Sequence, residues 1–475
     1  MIPLLLILIP LLSGLAVFLL KDSPLSKSFA LTSSIVTLAV ALVAVFSKGV
    51  LNFDASWLPG LGSRFTLMQD GMGKMLCLLT AISFPVVFTA TFKNVYPRQS
   101  AFYGLMLLTQ AGLLGVFLAA DALVFYFFWE LALVPVYFLS SIWGGEKRIA
   151  VTFKFFIYTF IGSLLMLVGI LLVYAQTVDH SFALQSFYHV KLDPHFQNGI
   201  FALFFIAFAI KMPIFPFHTW QPDAYEQSPT AVTMILSGVM VKMGIFAVIR
   251  WLLPMVPAGV QAHSMFVVIL SVIGMIYASL IAIKQDDIKR LIAYSSIAHI
   301  GLMCAAIFVQ NQIGLEGVMI QMFNHGINVI GLWIVADVIE QQLGTRKFSE
   351  LGGLAQKTPV LAILFVVMAL ANVALPLTNA FVGEFLMFNG LFQFNIWIAA
   401  VAGISIILAA VYTLNMIQKI FYGNTVEKTL GAVEISGNLQ FILTVLVIVV
   451  LVMGVFPQPM INLTKDTVSA IFANR

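Results

Sequence analysis

The stretch that decides the fold is FALFFIAFAIKMPIFPF, residues 201–217, in which a long apolar run meets one lysine and then two prolines. An apolar run of this kind is typical of a membrane segment, where a lysine near the bilayer centre costs about 3 kcal/mol. Pro213 and Pro216 each remove a backbone donor, so the helix should break directly after Lys211. A break at this depth would leave the lysine beside freed backbone carbonyls.

The composition of the chain requires a membrane. Of its 475 residues, 61% are hydrophobic and 9% are charged, whereas soluble domains carry about 25% charged residues. The apolar run at the start is too long for a cleavable signal and lacks a basic beginning, so we expect a first membrane helix that ends at Lys21 and Asp22. The net charge of +4 is dispersed among short loops. It therefore indicates no nucleic-acid partner, and the lipid bilayer is the expected surrounding.

Apolar runs of about 20 residues predict fourteen membrane spans. Their approximate bounds are 2–20, 28–47, 71–92, 100–119, 121–142, 149–175, 197–219, 229–252, 262–284, 287–309, 314–340, 358–394, 396–420 and 437–457. If the first residue is outside the cytoplasm, the cytoplasmic loops carry 14 lysines and arginines and the other side carries 6. Because positive charge is enriched in cytoplasmic loops, this asymmetry predicts that both termini lie on the non-cytoplasmic side.

Two of the predicted spans contain helix-breaking sequences. Pro213 interrupts the seventh span, and Pro376 interrupts the twelfth within ALPLTN, residues 374–379. Corresponding spans are five apart, so a second copy of the unit would start from the opposite face and would be inverted. The alternative is a pair of unrelated proline kinks.

The sequence therefore predicts an all-α polytopic membrane protein with about fourteen transmembrane helices and two inverted five-helix repeats, in which helices seven and twelve are broken. Residues 1–99 would hold the first three helices, and residues 100–255 the first repeat. Residues 256–420 would hold the second repeat, and residues 421–475 the last helix and a tail.

Six titratable residues lie deep within the predicted spans, and we call them the charged row. They are Glu130, Lys211, Lys242, His299, His325 and Glu384. Carboxylates, buried lysines and histidines can take up and release protons inside a membrane protein, so the row, read in chain order, predicts a proton path. For single members the alternatives are a carboxylate that joins two helices, a lysine that extends to the membrane surface and a hydrogen-bonded packing histidine.

Other polar residues in the spans are less specific. Lys74 and Lys154 are nearer helix ends, where extension to the surface and a transport role are equally open. Asp337 is closer to the end of its span and is expected to be structural. Cys77 and Cys304 fit packing positions, because two distant thiols make no cluster motif. The sequence contains no glycine-rich nucleotide fingerprint, so no cofactor is expected in this chain.

Over nearly its whole length, the chain resembles the antiporter-like membrane subunits of respiratory complex I. The similar segments are FWELALVPVYFL (128–139), KMP (211–213), PFHTWQPDA (216–224), PTA (229–231), DIKRLIAYSS (287–296) and FVGEF (381–385). The first segment and the glutamate at position 384 favour the M-type (chain 4) subunits over their paralogues, which usually have lysine there, and over multisubunit cation/proton antiporters. Tyr225 departs from the family pattern, which usually has histidine.

The resemblance implies a proton-translocating subunit of NADH:quinone oxidoreductase that has no redox chemistry of its own. It implies that Glu130 pairs with Lys211, that Lys242 is the central lysine, that the two histidines link two half-channels, and that the last glutamate is the terminal carrier. FMN, iron–sulfur clusters and quinone would belong to partner subunits. Paralogous antiporter-like subunits would be further partners, in a bacterial inner membrane.

Three other functions fit the same sequence. A sodium/proton antiporter subunit would use the same carriers, and transport assays with and without sodium distinguish it. A membrane module of a hydrogenase or carbon-uptake complex would be identified by the proteins that co-purify with it. A structural spacer predicts that Lys211→Met and Glu130→Gln leave pumping intact.

Overall fold

A computed structural model describes residues 1–20 and 23–473. The predicted turn at Lys21 and Asp22, and the tail residue Arg475, lie outside the described residues. Within the described ranges, eleven helices are long and apolar enough to cross a membrane. The three further predicted spans are the shorter apolar helix Ile2–Phe18 and the two interrupted spans. The prediction of an all-helical membrane protein with about fourteen spans is confirmed.

The elements follow one another as a run of membrane helices with one hairpin near the start. The helices are α1 Ile2–Phe18, α2 Leu25–Phe46, α3 Gly71–Ala90, α4 Gln99–Leu118, α5 Ala122–Trp143, α6 Arg148–Tyr174, α7 Leu184–His189, α8 Pro194–Lys211, α9 Gln221–Gln227, α10 Thr230–Met255, α11 Pro257–Lys284, α12 Ile288–Phe308, α13 Gln312–Leu343, α14 Pro359–Asn372, α15 Asn379–Phe394, α16 Ile396–Phe421, α17 Glu427–Leu430, α18 Gly437–Val455 and α19 Gln458–Ala473. The strands β1 Leu51–Leu58 and β2 Ser63–Gln69 pair as an antiparallel hairpin.

The hairpin and the last helix lie on one face of the molecule, which we call the hairpin face. Leu67 of the hairpin forms a bridge with Ala119, directly after α4. The helix α19 packs closely on the start of α3, where a Cβ on Gly71 would lie 2.0 Å from the Leu463 carbonyl. Neither element was expected from the apolar runs, which gave only a loop and a tail there.

Polar caps mark where several membrane helices begin. The carboxylates of Asp70, Asp121 and Asp287 accept hydrogen bonds from backbone N–H groups in the first turns of α3, α5 and α12. Asn311 and Asn395 do the same for α13 and α16. These caps satisfy donors that a helix leaves open at its N-terminus.

The break in the seventh span lies where the prolines predict it. Helix α8 ends at Lys211, and the chain resumes as the short helix α9 after a segment that contains a cis Phe215–Pro216 peptide bond. The carbonyl of Ile210, left open by the prolines, accepts a hydrogen bond of 3.0 Å from the indole of Trp220. The break is therefore a bonded part of the fold.

The twelfth span breaks in the corresponding place. Helix α14 ends at Asn372, and the connecting residues Ala374 and Leu377 have φ values of 58° and 73°. The carbonyl of Ala371 accepts a 3.1 Å hydrogen bond from the Ala374 N–H and a 3.3 Å hydrogen bond from the side-chain amide of Asn328. Helix α8 begins on the hairpin face and α14 on the opposite face, so the two interrupted spans run in opposite directions. The residue boundaries of the two repeats stay a prediction.

Burial differs sharply among the helices. The most apolar windows of α10 and α13 are 100% buried, whereas those of α16 and α18 are only 22% and 28% buried. Helices α16 and α18 therefore lie on the outside of the chain, and α10 and α13 form the centre of the molecule. These two central helices carry Lys242 and His325, which is where a membrane protein can keep ionisable residues away from lipid.

Candidate functional site

The central lysine of the charged row lies on a deformed part of α10. Lys242 follows a π turn at Leu236–Met240, and such turns are frequent at functional sites. Its Nζ donates a 2.8 Å hydrogen bond to the Ser237 carbonyl and lies 2.7 Å from Nδ1 of His325. Lys242 is completely buried. A proton can pass directly between two groups at this distance.

The two histidines continue the contacts from Lys242 to the last glutamate. The ring centroids of His325 and His299 are 5.6 Å apart, and Nε2 of His325 lies 3.2 Å from the Ser296 hydroxyl. Nδ1 of His299 is 2.9 Å from Oε1 of Glu384. Four members of the charged row therefore form one cluster of two close pairs that meet at the histidine rings, where Nε2 of His299 has no hydrogen-bond partner among the described residues.

The spatial order of the histidines differs from their chain order. His325, the later residue, contacts Lys242, and His299, the earlier one, contacts Glu384. The reason is packing: α13 lies against α10, whereas His299 of α12 lies beside α15 and α16. The expectation that the row runs in chain order is wrong for this pair.

The asparagines beside His325 do not bind the histidines. Asn324 donates to the Asn379 carbonyl at 2.7 Å, and Asn328 donates to a carbonyl before the second break. Their role is therefore to hold the broken span. Of the neighbouring serines, Ser296 reaches His325, whereas Ser295 is bonded to Tyr412 at 2.9 Å.

The other two members of the row lie together but are not bonded. Lys211 is buried and interacts electrostatically with Glu130. Neither the Lys211 Nζ nor the Glu130 Oε1 has a hydrogen-bond partner among the described residues, and they form no ion pair. The Nζ instead lies 5.5 Å from the centre of the Trp129 indole. The resemblance implies that Glu130 and Lys211 form a pair. In this structure they are close together but form no salt bridge.

The two halves of the row are joined through packed helices without a direct bond between the lysines. Helix α10 meets α8 at Gly244, where a Cβ would lie 2.7 Å from the Phe208 carbonyl. The Lys211 ammonium at the end of α8 and the Ser237 hydroxyl of α10 have no hydrogen-bond partner among the described residues. Such groups normally bind each other or ordered water.

The face opposite the hairpin carries a dense ion-pair network. Lys154 is 2.8 Å from Asp223, and Arg290 bridges Asp223 and Glu226 at 3.2 and 2.8 Å. Arg346 reaches Glu226 at 3.2 Å. Lys154 is thus bonded within the protein and does not extend freely to the surface. These bonds connect the start of α6, the short helix α9, the start of α12 and the loop after α13.

A polar cavity of about 1100 Å³ opens beside this network. Lys289 lies in its wall, 2.5 Å from Glu340 and 3.0 Å from the Thr230 hydroxyl. Asp337 also lines the cavity and accepts a 2.7 Å hydrogen bond from Gln341. Outside the membrane-spanning segments, the Lys428 ammonium and the Thr345 hydroxyl lower the pKa of Glu350.

The hairpin face has a buried ion pair of its own. Arg250 of α10 lies 2.7 Å from Asp70, which also caps α3. Lys74 donates to the carbonyls of Ser47 and Gly49 at 2.6 and 2.8 Å. Lys74 is therefore also bonded within the protein. These contacts join the central helix to the start of α3.

Some neighbours of the row were missed because their residue types are common in membrane helices. Tyr412 lines a cavity of about 20 Å³ together with His299 and Glu384. Gln321 donates to Glu384 at 3.5 Å. Trp129 faces Lys211. The position of Trp129 directly before Glu130 is the one signal that could have indicated its role.

A series of titratable groups lies between two interrupted spans that run in opposite directions. This arrangement defines a class of ion-translocating membrane subunits. Comparison agrees: residues 119–409 match the family model described as NADH:quinone oxidoreductase/Mrp antiporter, TM. The chain is 37% identical to the NADH-quinone oxidoreductase subunit M of Rhodobacter capsulatus, covering 94% of this chain and 91% of that protein. The chain belongs to this NADH:quinone oxidoreductase/Mrp antiporter family of membrane proteins.

Two further relatives show the range of the family. The F(420)H(2) dehydrogenase subunit M of Methanosarcina mazei is 35% identical, over 98% of this chain and 97% of that protein. A chain of respiratory complex I from Thermus thermophilus with bound NADH superposes with a TM-score of 0.92 at 28% identity, covering 99% of this chain and 100% of that chain. The fold predicted from the breaks and the span count is thus that of complex I membrane subunits.

Proposed function

We propose that the chain is a proton-translocating membrane subunit of a proton-pumping NADH:quinone oxidoreductase, and that the charged row carries the protons. The observation that supports this most is the connected cluster Lys242, His325, His299 and Glu384, with a hydrogen-bonded contact at each end. Each member can hold or release a proton, and a buried position without such a use would be costly.

In this proposal the chain is a non-redox subunit and has no independent catalytic site. NADH oxidation, FMN, iron–sulfur clusters and quinone belong to partner subunits, and other antiporter-like subunits adjoin it in the membrane. Charge changes near one end of the row would shift protons between Glu130 and Lys211, then to Lys242, and through the histidines to Glu384. Moving one charge against 100 mV requires about 2.3 kcal/mol.

The same proposal assigns the sides of the membrane and the repeats. The hairpin face, with both chain ends, would be the non-cytoplasmic side of a bacterial inner membrane, because the basic loops lie opposite. Residues 100–255 and 256–420 would be the two inverted units that place the row near the bilayer midplane.

A second candidate differs in the electron donor. The similarity to F(420)H(2) dehydrogenase subunit M covers as much of the chain as the similarity to the NADH-linked relatives. The membrane chemistry of the row would be the same, and a different soluble module would drive it. The multisubunit cation/proton antiporters remain a third candidate with the same carriers.

Purification in mild detergent followed by identification of the bound subunits tests the proposal. Flavin- and cluster-bearing subunits that oxidise NADH would support it, and an F(420)H(2)-oxidising module would support the second candidate. In proteoliposomes, the complex should acidify or alkalinise the lumen during quinone reduction without sodium. A chain that purifies alone, or transport that requires sodium, would overturn the proposal in favour of an antiporter.

A further inference from the structure

The indole of Trp129 is the nearest identified partner of the Lys211 ammonium. The Nζ lies 5.5 Å from the centre of the ring, within the distance over which a cation is attracted to an aromatic face. Trp129 is 1% exposed, and Lys211 is 2% exposed. Both groups are thus withdrawn from water, where a cation–π attraction is strongest.

The ring is held in place from two sides. Phe125, one turn earlier on α5, lies 5.5 Å from it, and Phe208 of α8 lies 5.8 Å from it, measured between ring centres. A side chain packed in this way cannot rotate away from Lys211 without moving its neighbours. The indole face is therefore a fixed surface at the end of α8.

Glu130 is the next residue on α5 after Trp129, so one helix offers Lys211 both an aromatic face and a carboxylate. In this structure the ammonium occupies the aromatic face, and the Glu130 Oε1 has no hydrogen-bond partner among the described residues. We propose that Trp129 is a positioning residue that holds the protonated Lys211 off Glu130, giving the lysine a second resting position between ion pairings. This rests on the proposed function of the row.

The surrounding titratable groups leave Lys211 to these two partners. On the helices packed against α8, Lys154 of α6 is paired with Asp223, Lys242 of α10 is bonded to His325, and His263 of α11 is bonded to the Gly259 carbonyl. His218, in the segment after the break, stacks on Phe215. Glu130 is the charged group that acts electrostatically on Lys211.

Removal of the ring should make the ammonium less stable and so move the pH dependence of pumping. In the whole complex in proteoliposomes, Trp129→Leu should shift the alkaline limb of the pumping profile down by about 1.5 pH units, which corresponds to about 2 kcal/mol. Trp129→Phe retains an aromatic face and should shift the limb by less than half as much. Phe128→Leu is the matched control, because that buried ring on the same helix contacts Phe65 and Phe127 on another side of α5.

A stability cycle separates a cation-specific role from packing. The melting temperature of the detergent-purified complex is measured for Trp129→Leu, Lys211→Met and the double variant. If the indole acts on the cation, the loss caused by Trp129→Leu should be smaller once Lys211 is methionine. A loss of the same size in both backgrounds means that Trp129 only packs, and overturns the inference.

The outcomes distinguish this inference from the proposed function. If the wild-type complex pumps and Lys211→Met abolishes pumping, but Trp129→Leu and the control Phe128→Leu give the same pH profile as each other, the positioning role is refuted while the function stands. If Lys211→Met pumps normally, the proposed function itself fails. A downward shift in Trp129→Leu, partly restored by Trp129→Phe, supports the inference.

Discussion

The contact between His299 and Glu384 gives the sharpest prediction for the row. Glu384→Gln keeps the size of the side chain and one oxygen that can accept from Nδ1 of His299, now 2.9 Å from the carboxylate. Both side chains are about one-tenth exposed. The substitution therefore removes a charge with little change in packing, and its effect reports on proton transfer.

The magnitude follows from the distance between the two groups. At 2.9 Å and an effective dielectric constant of about 20, the attraction between a protonated His299 and the carboxylate is about 6 kcal/mol. Part of this offsets the burial of the charges, and loss of one partner of a buried pair costs about 3–5 kcal/mol. A loss of about 3 kcal/mol corresponds to a factor of about 100, so proton transfer between His299 and position 384 should slow by at least about that factor.

The assay is lumen acidification or alkalinisation by the purified complex in proteoliposomes, divided by the rate of quinone reduction. Glu384→Gln should lower the number of protons moved per electron, while the complex assembles normally on a native gel. Glu316→Gln is the matched control, since among the described residues that side chain is bonded only to Gln312 at the start of α13. An unchanged proton yield in Glu384→Gln would refute the role of this residue.

Three further predictions concern the central helix. Lys242→Met should abolish pumping without loss of assembly, because Nδ1 of His325 loses its 2.7 Å partner; normal pumping would contradict this. Asp70→Asn should destabilise the chain by about 3–5 kcal/mol, because Arg250 stays buried and charged. Gly244→Ala should destabilise it by about 1–3 kcal/mol, because a Cβ would lie 2.7 Å from a carbonyl of α8. Both are measured as a lower melting temperature in detergent, and a wild-type value would contradict them.

The membrane helices could be predicted from the sequence because a lipid-facing helix must be apolar over its whole length. The two breaks were equally readable, since Pro213 and Pro376 remove donors in otherwise apolar spans. The hairpin and α19 were missed because they lie at the face, where no long apolar run is needed. In β1 only alternate residues such as Leu51 and Phe53 are partly buried, and this weak pattern is easily read as a loop.

The members of the charged row could be predicted from the sequence because charged residues are rare in membrane helices. Every member of the row stood out by its type, but contacts depend on which helices pack together. The spatial order of His299 and His325 is the reverse of their order in the chain. It follows from the position of α13 beside α10, which no local sequence pattern encodes. Trp129 and Tyr412 were missed for a related reason: aromatic residues are frequent in apolar helices, and only their distance to a charged group makes them notable.

The two halves of the charged row differ in how tightly they are connected, and this difference locates the step that a partner must control. From Lys242 to Glu384 two close pairs, at 2.7 and 2.9 Å, meet at a contact between the rings of His299 and His325. Between Glu130, Lys211 and Lys242 there is no direct bond among the described residues, and the Lys211 ammonium lies on an indole. A buried cation–π contact is worth about 2 kcal/mol, close to the 2.3 kcal/mol of moving one charge against 100 mV. An electrostatic change of that size near Glu130 is therefore sufficient to decide whether Lys211 stays on the ring or leaves it.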